Sequence, residues 1–304
     1  MSTESAGSGT RWETRDQGED RRGRRDFETA PLLVPKQYAA PSAFTAANLL
    51  REARRQKALP NARVPAICVL DPDGDLVDYL QARGQACPEA TRACYHTTLL
   101  TFAHDGLAYG IIGRVVGAPF AVLVAEELFA CGCELLISVT SAGQIVAQGP
   151  PPYLVLIERA LRDEGTSYHY LPPAPYSHLQ GALRDALHTG WDHARVPLST
   201  GASWTTDAPF RETEEMIAAC RDRGILAVEM EAAALYAFAT AAGHAIICFA
   251  HVTNQMALLE GDFEKGEQAG SQAVLQVLDQ TARCWRQWQQ ATPRGHTDTG
   301  KESP

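Results

Sequence analysis

Apolar and polar positions change period repeatedly along this chain. Over residues 44–57, Leu49, Leu50 and Ala53 make an apolar face and Arg51, Arg54 and Arg55 lie mostly off it, which predicts a helix that Pro60 ends. Residues 64–70 form a short apolar run of the buried-strand type, closed by the turn sequence Asp71-Pro72-Asp73-Gly74. Residues 99–102 and 107–112 predict a strand pair joined at Asp105-Gly106, and 119–131 a strongly apolar helix. Residues 134–139 predict a strand running into Thr140-Ser141-Ala142-Gly143, and 154–157 a strand or the start of a helix. Helices are then expected at 177–187, 212–223, 232–242 and 266–290, with strands at 196–200, 226–230 and 245–251.

Strand and helix signals that alternate from 44 to 290, with strands apolar throughout, argue for a central sheet covered on both faces. The expectation is an α/β fold, a single-domain three-layer α/β/α sandwich with a central mixed β-sheet. The domain would span 40–292, with a disordered tail at 1–35 and a second tail at 293–304. Residues 1–30 carry six Arg against seven Asp or Glu and almost nothing to bury. The whole chain has 36 acidic and 27 basic residues, a net charge of −9, which argues against a broad nucleic-acid surface. No apolar run reaches the roughly 18 residues of a membrane helix. The first residues lack the apolar core of a secretory signal, so a cytoplasmic location is expected. The 8 cysteines show no CxxC spacing and read as reduced, mostly buried thiols, with no metal site.

Ligands of such sheets sit beyond the carboxyl ends of strands, which points at 140–143, 229–231 and 251–255. At Glu229-Met230-Glu231 a hydrophobic strand ends in two carboxylates around a thioether. Paired carboxylates suit a vicinal diol, and a thioether can pack on an apolar sugar face. The plainer alternative is that Glu231 only favours the positive end of the next helix, with Glu229 solvated. Thr140, Ser141 and Gly143 offer small hydroxyls and free backbone for an anion, or else a tight turn. In the stretch from Trp204 to Thr213, Phe210 could stack on a planar base and Arg211 could donate to its carbonyl. Alternatively, Phe210 is core and Thr213 caps a helix. Asn254 offers one donor and one acceptor to a base. His251 and His96 are more ordinary as locally satisfied histidines.

The stretch Val228-Glu229-Met230-Glu231-Ala232-Ala233-Ala234-Leu235-Tyr236 resembles the ribose-binding motif of the nucleoside phosphorylase superfamily. Three further stretches fall in the same order. Val116-Gly117-Ala118-Pro119, followed by Ala125-Glu126-Glu127-Leu128, resembles the family's glycine-proline loop and helix. Residues 138–145 resemble its strand and phosphate loop, and 163–170 a segment of the uridine phosphorylases. The resemblance covers 64–290. It implies a pentosyltransferase that releases a free base and ribose 1-phosphate from a pyrimidine or 6-oxopurine nucleoside, with phosphate as co-substrate and no cofactor. It implies no nucleic-acid or membrane partner, and a homo-oligomer, trimer or hexamer, with shared active sites. Glu229, Met230 and Glu231 would hold the ribose, with Thr140, Ser141, Gly143 and His96 completing the substrate site. Phe210 and Arg211 would lie in the base pocket. Glu231, Arg211 and Asn254 would carry the catalysis. Asn254 stands where adenine-accepting relatives place an acid, which favours an oxo-base.

The chain departs from that pattern at its arginines. Leu70-Asp71-Pro72-Asp73-Gly74 lacks the Gly and Arg of the first phosphate loop, Ser138 stands where an Arg is common, and no Arg stands at Tyr95 or His96. Three charge-assisted donors to phosphate are thereby missing, with Arg114, Arg54 and Arg55 as the candidate replacements. Two other functions follow from the same residues: hydrolysis, with water in place of phosphate, and a nucleoside-binding module without chemistry.

Overall fold

A computed structural model describes residues 30–89, 96–256 and 262–291. They form, in chain order, α1 (Ala46–Lys57), β1 (Ile67–Asp71), α2 (Asp75–Ala82), β2 (Ala86–Pro88), β3 (Leu100–His104), β4 (Leu107–Gly113), α3 (Ala118–Ala130), β5 (Leu135–Gln144), β6 (Tyr153–Asp163), β7 (Tyr176–His178), α4 (Gly181–Gly190), β8 (Ser199–Thr206), α5 (Glu214–Asp222), β9 (Ile225–Glu229), α6 (Ala232–Ala242), β10 (Ala245–Asn254) and α7 (Ser271–Ala291). The chain divides into two compact units, Met1–Pro35 and Lys36–Pro304. Of the first unit, residues 30–35 are described, and Pro31–Leu33 make one 3-10 turn. The expected tails otherwise fall outside the described residues.

All the described strands belong to one mixed sheet. β5 lies at its centre, parallel to β1 on one side and to β10 on the other. From β10 the order continues to β6, β8 and β9, and β9 returns to the end of β5 where Val228 faces Gly143. Five strands therefore close on themselves, while β1, β4, β3 and β2 extend as an open wing. β1 and the first half of β5 are buried on both faces, which is why Ile67–Leu70 and Leu135–Ile137 are continuous apolar runs rather than alternating ones. α6 is buried from Ala232 to Phe238 and beyond, and its run of alanines lets it lie close on β6, β8 and β10. α3 packs on α6 and α1 on α3, while α7 packs on α4 and α2. These two helical groups and the sheet make the three layers.

The elements differ from the expected pattern where a neighbouring strand supplies hydrogen bonds that local sequence cannot show. Thr140-Ser141-Ala142-Gly143 is not a loop after the strand but the last part of β5, because β10 continues beside it with Ala250, His251 and Val252 opposite Thr140, Ser141 and Ala142. Trp204, Thr205 and Thr206 belong to β8 for the same reason, paired with Leu161, Arg162 and Asp163. The helix expected at 177–187 starts at Gly181, since Tyr176–His178 pair with β6. The closing helix starts at Ser271, after a 3-10 turn over Glu267–Gly270. α2, too short to stand out by periodicity, begins after Gly74, whose φ of +85° suits a residue without Cβ.

The hydroxyl of Tyr236, fully buried on α6, donates to Ile157 O of β6 and accepts from Cys248 N of β10 at 3.0 Å. It ties the helix to the β6–β10 junction that orients the site. Tyr236→Phe leaves both backbone groups short of a partner and is expected to lower stability by ~1–3 kcal/mol, measured by urea unfolding. An unchanged midpoint would show that the bridge contributes nothing.

Candidate active site

The carboxyl ends of β1, β5, β9 and β10 converge, and β9 brings the acidic pair to that point. Glu229 is buried at the end of β9 with all its capacity used inside the chain. Its Oε1 accepts from the Ser203 hydroxyl at 2.9 Å and from the Thr205 hydroxyl at 2.5 Å. Its Oε2 accepts from the backbone N–H groups of Glu231 and Ala232, both at 2.7 Å. Thr205 Oγ1 in turn accepts from Ala233 N. The first N–H groups of α6, which a helix leaves unpaired, are satisfied by Glu229 and Thr205. Glu229 is thus the group at the helix's positive end, neither solvated nor open to a diol, and it fixes the backbone that carries Glu231.

Glu231 is also buried, 1% exposed. Its Oε1 accepts from Gly117 N at 2.7 Å, across from the start of α3, and its Oε2 has no hydrogen-bond partner among the described residues. Burial, and then the Glu229 carboxylate, push the Glu231 carboxyl well above the usual range. Burial raises Glu229 too, but four donors at its oxygens pull against that. Met230, between them, is half-buried. Thr140, buried on β5, sets its hydroxyl beside Glu231.

Beside this pair lies a second group of acids. Asp71 ends β1, 6% exposed, and its Oδ2 accepts from Val77 N at 2.9 Å, capping the first turn of α2. Burial, partly offset by that bond, pushes the Asp71 carboxyl up to about 7. Asp73 Oδ2 accepts from Ser141 N at 2.8 Å. The Ser141 hydroxyl meets that of Thr253, on β10, at 2.8 Å. Lys265 Nζ reaches Asp75 at 2.5 Å and Asp73 at 3.8 Å. His251 packs against Gly270, where a Cβ would lie 2.3 Å from its ring and where φ is +73°, so glycine is required. Burial, reinforced by Lys265, lowers the His251 pKa to about 4 and keeps the ring neutral. Among the described residues, no group of His, Cys, Asp and Glu has an arrangement that could hold a metal ion.

The remaining expected residues divide. Gly143 belongs to the convergence, and a Cβ there would sit 2.7 Å from Met256 Sδ. Asn254 is buried, with its Oδ1 accepting from Met256 N at 2.9 Å and its Nδ2 donating to Thr253 Oγ1 at 3.3 Å. That leaves one N–H for a ligand. Phe210 and Arg211 form a 3-10 turn on the surface, Phe210 98% exposed, and the chain does not gather them with the carboxylates. His96 faces Glu127 at 3.7 Å, ten residues along the chain from Gly117, or ~15 Å of helix. The three candidate replacement arginines are engaged elsewhere. Arg114 lies over Gly74 but closes on Asp78 at 2.7 Å, Arg54 meets Cys131 Sγ at 3.1 Å, and Arg55 meets Glu52 at 2.8 Å. Lys265 was not expected at the site, and Gly117 and Asp73 lie in stretches already matched to the family's loops but were assigned no role there.

Residues 65–283 match the family model described as the phosphorylase superfamily. A guanosine phosphorylase of Halorubrum lacusprofundi is 28% identical over 149 residues, 48% of this chain and 60% of that protein. The chain thus aligns with less than two thirds of that relative. A DeoD-type purine nucleoside phosphorylase of Exiguobacterium sp. is 27% identical over 178 residues, 56% of this chain and 72% of that protein. Among solved structures, a uridine phosphorylase from Vibrio fischeri superposes with a TM-score of 0.58 at 21% identity, over 75% of this chain and 94% of the other. A purine nucleoside phosphorylase from Toxoplasma gondii, in complex with immucillin-H, gives 0.60 at 16% identity, over 75% and 93%. These likenesses fix the fold.

Proposed function

The chain belongs to the phosphorylase superfamily, and from that premise we propose that it cleaves the N-glycosidic bond of a nucleoside, passing the pentose to an oxygen acceptor beside Ser141. The observation that carries this reading is the Glu231 carboxyl, buried, anchored through one oxygen by Gly117 N, with the Thr140 hydroxyl beside it and no hydrogen bond at its other oxygen among the described residues. A sugar hydroxyl would complete it. Met230 would lie against the apolar face of the ring. Cleavage passes through an oxocarbenium-like state, as in other glycosyl transfers, and carboxylates beside the sugar stabilise its positive charge. The relatives are named phosphorylases, so phosphate is the acceptor that kinship favours.

For the base, the one N–H left on Asn254 suits a carbonyl or ring-nitrogen acceptor, and its amide cannot readily deliver the proton that a departing adenine needs. A pyrimidine or 6-oxopurine nucleoside is the proposed substrate. Phe210 and Arg211, being exposed, would reach the base only in an assembly or after movement of their turn. Incubation with uridine, inosine, guanosine and adenosine, followed by chromatography of the free bases, is expected to show release from an oxo-base nucleoside and none from adenosine. Failure with all four would remove the reading, and preference for adenosine would remove the assignment of Asn254.

A further inference from the structure

A β-bulge brings Asn254 to its place. β10 runs in register beside β5 as far as Val252 and then skips one residue, so that Asn254 rather than Thr253 stands opposite Gly143. Beyond it the chain turns back at once. Gln255 N donates to Asp262 Oδ1 and Met256 N to Asn254 Oδ1, both at 2.9 Å. Met256 is thereby held at a φ of +69°, a left-handed backbone unusual outside glycine. Its half-buried side chain lies over Gly143 and against the apolar group that includes Ile145, Trp204 and Val228. A Cβ on Gly143 would stand 2.7 Å from Met256 Sδ, 3.2 Å from Val228 Cγ1 and 3.4 Å from Asn254 Oδ1. Apolar atoms in contact need ~3.5–4.0 Å. The thioether therefore requires a glycine at 143, and no ring fits between it and the β5 backbone.

Resting on the reading of this site as one that cleaves a nucleoside, we infer that Met256 is its specificity-determining residue, closing the base pocket over Gly143 so that a one-ring, pyrimidine base is accepted and a two-ring base is not. Val228, which pairs with Gly143, stands three residues before Glu231, so their Cα atoms lie at most ~11 Å apart. The pocket is short for that reason. In a pyrimidine nucleoside the ring bonded to C1′ itself carries the carbonyl groups. In a 6-oxopurine nucleoside a five-membered ring stands between, and the carbonyl edge lies one ring deeper. With the pentose at Glu231 and Met230 and the base at the remaining N–H of Asn254, the deeper edge meets the thioether. To admit it, Met256 would have to leave its contacts with Gly143 and Val228 and expose apolar surface. A pyrimidine stops short of that contact and lays its edge against the sulfur.

The test uses the full chain and measures kcat/KM for uridine, inosine and guanosine, with and without phosphate, together with thermal shifts by free uracil and hypoxanthine. The parent is expected to prefer uridine by ~10²-fold, and Met256→Ala to reduce that preference ~10-fold or more through a gain with the two purine nucleosides. Met256→Gly makes the same cut with a backbone at ease at a φ of +69°, and it carries the test if the Ala variant fails to fold. Met256→Leu, which refills the space, should keep most of the preference. A merely structural role would lower all three rates together and leave their ratio unmoved. A parent that uses inosine or guanosine as well as uridine, or a ratio unchanged in the Ala and Gly variants, would overturn the inference while leaving the bond-cleavage reading standing. No release from any nucleoside, with uracil still bound in preference to hypoxanthine and that preference lost in Met256→Ala, would remove the cleavage reading and keep the role of Met256. No release and no preference in binding would remove both.

Discussion

Glu231→Ala is expected to lower kcat/KM for any accepted nucleoside by ~10²–10³-fold, the loss typical of one preorganised group that stabilises charge in the transition state. Its carboxyl is held at both ends of a short chain of contacts: Glu229 fixes the Glu231 backbone N–H, and Gly117 N fixes Oε1. Little freedom remains, so Oε2, which has no hydrogen-bond partner among the described residues, is fixed in place before any ligand arrives. Alanine deletes that acceptor and also leaves the Gly117 N–H unpaired, which adds ~1–3 kcal/mol of lost stability. Glu231→Gln keeps the shape and an acceptor for Gly117 while placing an NH₂ where Oε2 stands, so it separates the two effects. The Gln variant should melt close to the parent and still lose most of its activity. The measurement is steady-state base release together with a thermal melt with and without nucleoside. Full activity in the Ala variant would remove the ribose role from Glu231.

What the sequence made legible at this site is what lies close together in the chain. Glu229, Met230 and Glu231 stand at one strand-to-helix junction, and that junction reads directly from an apolar run, two carboxylates and a row of alanines. The division of labour inside the pair was not legible. It depends on Ser203 and Thr205, which reach Glu229 because β8 lies beside β9. Asp73 and Ser141 are 68 positions apart and meet because β1 and β5 are parallel neighbours. Residue type alone suggested that Thr140 and Ser141 would bind an anion, and a backbone donor is present there, but an internal carboxylate holds it. Phe210 shows the converse. An aromatic ring in a polar stretch looked like a base platform, yet it projects from a surface turn because Pro209 and the capping Thr213 fix that turn outside the layers. Within the fold, the strands and helices that bury one continuous face were readable. The errors cluster at strand ends, where pairing partners distant in the chain decide how far a strand runs.

Raising the pH from 4 to 8 is expected to weaken this fold, opposite to the usual acid lability of proteins. The Asp71 carboxyl stands at about 7 in the folded chain against 3.8 when unconstrained. Between those values the folded state keeps a proton that the unfolded state has released, so ΔG of unfolding falls as pH rises. The contribution is fully present below about 3.8 and is lost as pH passes through about 7. A shift of that size corresponds to on the order of 4 kcal/mol. Glu231 and Glu229, raised by burial, act with the same sign, as does Glu212, which burial pushes up to about 7. Glu52 and Asp105 are lowered by their arginine partners and act oppositely, but both are exposed, and such surface pairs contribute little. Asp71→Asn keeps an oxygen for Val77 N and removes the titration. Urea unfolding should therefore find parent and variant nearly equal at pH 4 and the variant more stable at pH 8. A parent midpoint that holds level or rises over this range, with no gap between the two at pH 8, would show that Asp71 is ionised in the folded protein.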